Sequence, residues 1–295
     1  IAITLAKYDY DVTIFEGNDH IGGILRYGIP EFRLPKSVLD RLGEKMIEMG
    51  IKIRPNTTIG SNLTVDDLLR DDFKAVFIGT GVWRPSKLDV KGESLGHIHY
   101  AIEYLRNPSV YNLGKIVGII GAGNVAMDVA RTAFRHGAEE VYIICNKDES
   151  SITARDHEVE YAKIDGAQFE FYKTVVEFVD KGIILADSNV TKDEDGKEIV
   201  EAIKGTEKLF EVDSVIIAIS QGPRAVIVSS TKGIKVNKKG LVEVDEFGHT
   251  SKDGVFASGD VVTGAKTVVE AVKVSKRVAE AMHEYVQSLP KDENV

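Results

Sequence analysis

Apolar residues follow two rhythms along this chain. Short apolar runs closed by glycine-rich turns alternate with stretches in which apolar residues recur every three or four positions. The first pattern predicts buried strands and the second amphipathic helices, so the chain reads as α/β. It opens inside a helical run, where Ile1, Ala2, Leu5 and Ala6 fit one face, and continues into a strand over 12–15 that ends on Glu16. A Gly- and Pro-rich loop leads to a helix over 36–49. Val38, Leu42, Met46 and Met49 are its expected buried stripe, and Gly50 is placed to end it in the left-handed region. Residues 51 and 53 alternate with charges as in a half-exposed strand, and 75–78 form an apolar run closed by Gly79-Thr80-Gly81.

A second beginning lies at Lys115. The strand 116–120, the turn Gly121-Ala122-Gly123-Asn124-Val125-Ala126, a helix to about His136, a stop at Gly137 and a strand over 141–145 make one complete βαβ unit. After a helix over 156–164, the segments 169–186, 199–203 and 212–219 read as an inserted antiparallel meander with exposed polar links such as TKDEDGK. Gln221-Gly222-Pro223-Arg224 reads as a hinge. The last third repeats the local grammar: a strand over 254–257, Ser258-Gly259-Asp260, a loop VVTGAK and a helix over 268–286. Thr267 and Glu270 have the spacing of a capping box at that helix start.

Composition narrows the function. A chain of 295 residues suits two domains, each with its own core. The net charge is −9 and the cations are scattered, which argues against nucleic acid as a partner. The longest apolar stretches are interrupted and too short for a membrane span, so a cytoplasmic protein without membrane contact is expected. Cys145 is the single cysteine, which excludes a CxxC pair and a Cys-ligated iron–sulfur cluster within these residues.

Gly121, Gly123 and Ala126 match the G-x-G-x-x-G/A spacing in its required setting, after a strand and at the opening of a helix. The first glycine makes the turn, the second lets a pyrophosphate approach the backbone, and the helix N-terminus offers free N–H groups to phosphate. The next strand ends Cys145-Asn146-Lys147-Asp148-Glu149. An acid there suits the ribose 2′-OH of NAD and a cation suits the 2′-phosphate of NADP, so both coenzymes stay open. Glu16, at a strand end before Gly22-Gly23, suits a second ribose. Asp260, in a Gly-Asp turn before a capped helix, suits a ribityl chain, and the helix start at Thr267 suits the polar edge of a flavin. Other candidates favour structure over chemistry. His97 and His99 lack a third ligand, so no metal is expected; Asp156-His157-Glu158 reads as a solvated charged face; Cys145 reads as an inert core thiol.

Three stretches carry a resemblance: GGILRYGIPEFRLPK (22–36), IGAGNVAMDVART (120–132) and VFASGDVVTGAKTVVEA (255–271). They resemble the small (beta) subunit of glutamate synthase and the related flavin and nicotinamide module of dihydropyrimidine dehydrogenase and ferredoxin-NADP transhydrogenase. The resemblance implies two dinucleotide-binding, Rossmann-like domains, with an NAD(P) domain (109–222) inserted in a split FAD domain (1–108 and 223–295). It implies that Glu16, Gly22, Gly23, Ile24, Arg33 and Ile59 line the FAD site with Gly79, Thr80, Gly81, Gly259, Asp260, Thr267 and Val268. Gly121, Ala122, Gly123, Asn124 and Val125 would hold the pyrophosphate of NADP or NAD. Relatives place Arg for the 2′-phosphate where this chain has Asn146 and Thr153, while Lys147 is retained. The implied activity is hydride transfer from NAD(P)H to FAD and electron delivery to an iron–sulfur domain or a large glutamate synthase subunit. Such transfer needs proximity and orientation rather than a side-chain acid or base, so no catalytic residue is assigned.

The family begins its FAD domain with a strand and a Gly-rich loop that would precede Ile1. In a sheet of order 3-2-1-4, removing the first strand would leave its neighbours about 9–10 Å apart, twice the usual spacing. These residues are therefore expected to be part of a longer, N-terminally truncated protein. The competing expectation is a fragment that binds NAD(P) without FAD-dependent catalysis.

Overall fold

A computed structural model describes residues 1–193, 195–196 and 198–290. The chain forms two compact units, one from Ile1–Arg26, Leu34–Arg84 and Gln221–Val295, the other from Tyr27–Arg33 and Pro85–Ser220. The divisions thus fall near 84 and 220, where the sequence boundaries were placed at 108 and 222. Residues 85–108 go with the second unit because Ile98–Tyr100 pairs in parallel with Ser214–Ile217, and Tyr104 is fully buried in that unit's core.

The second unit is built on five parallel strands in the order Ile98–Tyr100, Ser214–Ile217, Ile116–Ile120, Glu140–Ile144, Gln168–Glu170. Strand side chains alternate between faces, and here both faces are covered. Val117, Ile119, Ile143 and Ile216 pack with Tyr104, Met127, Val129 and Ala130 from the helices Ala101–Arg106 and Asn124–Arg135. Ile120, Ile144, Val215 and Ile217 pack with Phe178, Ile183 and Leu185. Each such aliphatic side chain contributes about 1.5–3 kcal/mol by leaving water. Phe178, Ile183 and Leu185 come from an antiparallel layer in which Gly182–Lys192 pairs with Lys173–Val179, Glu198–Ala202 and Lys208–Glu211.

The expected meander is therefore smaller than the sequence suggested. Ser214–Ile217 and Gln168–Glu170 belong to the parallel sheet instead. An apolar run such as SVII, buried at all four positions, meets the demand of a central strand covered on both faces; periodicity alone does not name its partner.

Among the described residues, two separate parallel strand pairs lie wholly in the first unit, Thr13–Phe15 with Lys52–Arg54 and Val76–Ile78 with Val255–Ala257. The long helix Val268–Ser288 buries Val278, Ala279, Ala281 and Met282, and its cluster takes in Phe256, Ile1 and Leu5. The helix Lys36–Glu48 corrects the expected stripe: Leu39 and Gly43 are buried, whereas Val38 and Leu42 are 41% and 40% exposed. Ile21 explains the rotation. Its side chain packs over Gly43, with Cδ1 3.4 Å from where a Cβ would stand, so the Leu39–Gly43 face is the one that meets a neighbour. Gly50 has φ +83°, as its place after this helix requires. The expected loop VVTGAK contains a helical turn, Asp260–Thr263, because Gly259 at φ +75° folds its carbonyl back to accept from Val262 and Thr263.

Candidate functional site

In the second unit, Gly121 follows the central strand with φ +120°, and a Cβ there would lie 2.5 Å from the Ala218 carbonyl oxygen. Only glycine fits between this turn and the neighbouring strand end. Gly123 is the N-cap of the helix Asn124–Arg135 and makes no side-chain cap, so the first N–H groups are left for another acceptor. The loop after Glu140–Ile144 returns to this turn. The N–H groups of Thr153 and Ala154 donate to the Ala122 carbonyl at 3.2 and 3.1 Å, and Asn124 Oδ1 accepts from the Arg155 N–H at 2.9 Å. A Cβ at Gly123 would stand 3.6 Å from Thr153 Oγ1. Thus Gly121, Ala122, Gly123, Asn124 and Thr153 converge, and Val125 sits in the first helical turn. Asn146 is exposed, and Lys147 Nζ donates to Glu198 Oε2 at 2.6 Å. The Asp148 carboxylate is used inside its own loop, accepting from the Ser151 N–H and Ser150 Oγ.

The first unit brings a second set together. The parallel register Val76↔Val255, Phe77↔Phe256, Ile78↔Ala257 carries Gly79-Thr80-Gly81 and Ser258-Gly259-Asp260 to the same end of the strand pair. Gly79 has little room for a side chain, since an added Cβ would meet Phe77 Cε1 at 2.6 Å. Asp260 Oδ1 accepts from the Lys266 N–H at 3.2 Å, and burial raises its carboxyl above the ordinary range. Thr267 and Glu270 form the expected capping box, with the Thr267 hydroxyl accepting from the Glu270 N–H and Glu270 accepting from the Thr267 N–H. Added Cβ atoms at Gly23 and Gly81 would lie 3.9 and 3.6 Å from the Trp83 ring, whose Nε1 donates to the Thr80 carbonyl at 3.0 Å. Gly22, at φ +125°, starts the turn beside Gly23, and Ile24 lies exposed in the following helix. Glu16 Oε1 accepts from the backbone and side-chain nitrogens of Asn18. Ile59 packs into the apolar cluster of Ile78, Val242 and Val261.

Residues 1–275 match the family model described as pyridine nucleotide-disulphide oxidoreductase. The chain belongs to this family. It is 38% identical over 302 residues to the beta subunit of the NADP(+)-dependent formate dehydrogenase of Moorella thermoacetica, covering 97% of this chain and 42% of that one. It is 31% identical over 301 residues to the glutamate synthase [NADPH] small chain of Azospirillum brasilense, covering 95% and 62%. Among solved structures, FprA of Mycobacterium tuberculosis in complex with NADPH has the same fold, with a TM-score of 0.79, 16% identity, and coverage of 97% and 81%. The chain thus spans about two-fifths to three-fifths of the length of these two curated relatives.

The cofactors of this pyridine nucleotide-disulphide oxidoreductase are FAD and a nicotinamide dinucleotide, and the residues present fit both. One set offers a glycine turn and an uncapped helix start to a pyrophosphate. The other offers a half-buried carboxylate beside a capped helix start, with chemistry suited to ribityl hydroxyls. Cys145 is buried and its thiol is pushed up to about 11, which leaves it a core residue rather than a redox partner. Among the described residues no group of three or more His, Cys, Asp or Glu could hold a metal. No helix among them is long and apolar enough to cross a membrane.

Arg33 has its ion-pair partners within the second unit. The segment Tyr27–Arg33 belongs to the second unit, where Arg33 Nη1 donates to both Asp128 oxygens at 2.7 and 2.6 Å and Nη2 pairs with Glu158. Phe32 lies under the guanidinium groups of Arg131 and Arg135, at 4.8 and 4.1 Å. Glu158 is 4% exposed and so is not the solvated residue its charged helix suggested; Arg33 supplies the partner that permits burial. Burial also pushes the Asp128 carboxyl up to about 6, against the pull of Arg33. Sequence reasoning missed Trp83, Asp128 and Glu198. Trp83 had a signal, being the single tryptophan, two residues after a Gly-Thr-Gly turn. The other two are ordinary acids whose partners lie 95 and 51 positions away.

Proposed function

We propose that this chain accepts hydride from NAD(P)H on FAD and passes the electrons to a protein partner, as a glutamate synthase small subunit does. In this reading the second unit is a Rossmann-like NAD(P) domain inserted in a split FAD domain formed by the first. The observation that carries it is the doubling of one device: glycine turns at strand ends leading into helix starts, centred on Gly121-Gly123 in one unit and on Gly259-Asp260 in the other. A single cradle suits many nucleotide binders, whereas two in one chain suit direct exchange between two dinucleotides.

Bound FAD would supply the two-electron carrier. The backbone N–H groups at Asn124 and Val125 would hold the pyrophosphate of the nicotinamide coenzyme, and Gly121 keeps that turn tight. Asp260 would accept from a hydroxyl of the flavin side chain, and the start of Val268–Ser288 would offer its positive end to the flavin's polar edge. The residues bind and orient; no proton has to move through a side chain in hydride transfer. The electron acceptor in this reading is an iron–sulfur domain or a large glutamate synthase subunit, where the electrons would serve substrate reduction.

The test is to purify the chain with added FAD and follow its visible spectrum anaerobically. A bound yellow chromophore that NADH or NADPH bleaches is the expected result. A colourless protein that still binds NAD(P)H would show a nucleotide-binding fragment without flavin chemistry.

A further inference from the structure

We propose that Glu198 is a specificity-determining residue that competes with the coenzyme's 2′-phosphate for Lys147, so that the chain itself discriminates against the phosphorylated nicotinamide dinucleotide. The inference rests on the reading of the second unit as the NAD(P) domain. In a βαβ nucleotide site the residues just past the second strand face the adenosine ribose, and a cation there receives a 2′-phosphate. Here that strand is Glu140–Ile144, and the loop after it is held against the glycine turn through Thr153, Ala154 and Arg155. Of Asn146, Lys147 and Thr153, the positions of that loop expected to meet the ribose, Lys147 alone is charged.

Lys147 is already engaged. Its ammonium lies 2.6 Å from Glu198 Oε2, and the pairing holds the Glu198 carboxyl below the ordinary carboxylate range. Glu198 is delivered by the strand Glu198–Ala202, whose register Lys192↔Glu198 fixes it at the end of the antiparallel layer. Lys147 is equally fixed, since its carbonyl accepts from the Tyr172 N–H at 3.1 Å. Lys192 also faces Glu198 favourably, and Asp148 faces it unfavourably. A 2′-phosphate carries about −1.5 to −2 charges near neutrality. It would have to displace Glu198 from Lys147, or sit beside an uncompensated carboxylate. A 2′-hydroxyl meets neither obstacle.

The experiment uses the full chain, with dissociation constants for NADH and NADPH measured separately on wild type, Glu198→Gln, Glu201→Gln, Lys147→Gln and the Lys147→Gln/Glu198→Gln double variant. Glu198→Gln is expected to raise the NADPH-to-NADH affinity ratio about five-fold, the size of one partly exposed charge pair. Glu201→Gln removes the same charge from the same strand, on its opposite face, and should leave the ratio at the wild-type value. Lys147→Gln should lower the ratio and make the second substitution silent in the double variant. An unmoved ratio in Glu198→Gln, an equal shift in Glu201→Gln, or a full Glu198 effect without Lys147 overturns the proposal. Wild type that binds neither coenzyme overturns the NAD(P) reading itself, and this inference with it.

Discussion

The two units use the same local device in different settings. In the second, the glycine turn leaves the middle strand of a five-stranded parallel sheet whose faces are covered by separate apolar clusters. In the first, the glycine turns leave three-residue strands that are paired two by two. The Gly121 turn is therefore a structural member, since a neighbouring strand end, the returning loop and the following helix all rest on it. The turns of the first unit are held by local bonds, the Val262 and Thr263 N–H groups to the Gly259 carbonyl and Trp83 Nε1 to the Thr80 carbonyl. A turn's sequence thus says what it can bind, and the sheet around it says what else is lost when it changes.

The sharpest way to break this contrast is Gly121→Ala. The added Cβ meets the Ala218 carbonyl in a positive-φ backbone, which should cost about 3 kcal/mol or more and abolish coenzyme binding. Chemical denaturation and NADH titration check both; a folded, coenzyme-binding variant would mean that the turn relaxes freely. Next is Arg33→Ala, which leaves Asp128 and Glu158 buried without their main partner and should destabilise the second unit by about 3–5 kcal/mol. Arg131, 3.6 Å from Glu158, compensates only in part. Because the folded Asp128 carboxyl titrates near 6 rather than 3.8, folding favours its protonated form, and its destabilising contribution grows as pH rises through that window. Relative to Asp128→Asn, wild type should therefore lose stability from about pH 4 to pH 6, read from melting temperatures of both proteins. Thr267→Ala removes one half of the capping box in the first unit. It should cost about 1 kcal/mol and weaken FAD binding, measured by flavin release. The smallest effect belongs to Leu42→Lys on the exposed face of its helix, within about 0.5 kcal/mol, where the sequence stripe would have predicted a core defect.

Much of the fold was legible. The strand Ile116–Ile120, the helix Asp156–Ile164 and the capping box at Thr267 occur where the pattern and spacing put them. The glycine turn was legible for the same reason: its requirement is local, and glycine, helix start and strand sit within a few residues. Two features stayed hidden because they depend on facing partners. The orientation of Lys36–Glu48 was decided by Ile21 fitting at Gly43, and a run such as 214–217 could have joined either sheet.

By itself, then, the sequence determined the α/β class and the strand-turn-helix grammar with its glycine turns, since these follow from backbone geometry over short spans. Only the tertiary structure decided that Arg33 pairs with Asp128 and Glu158, that the Trp83 ring lies against the Gly23 and Gly81 turns, and that Glu198 claims Lys147. Charge pairing and packing act between residues far apart in the chain, and no local pattern records which distant group will satisfy a given side chain.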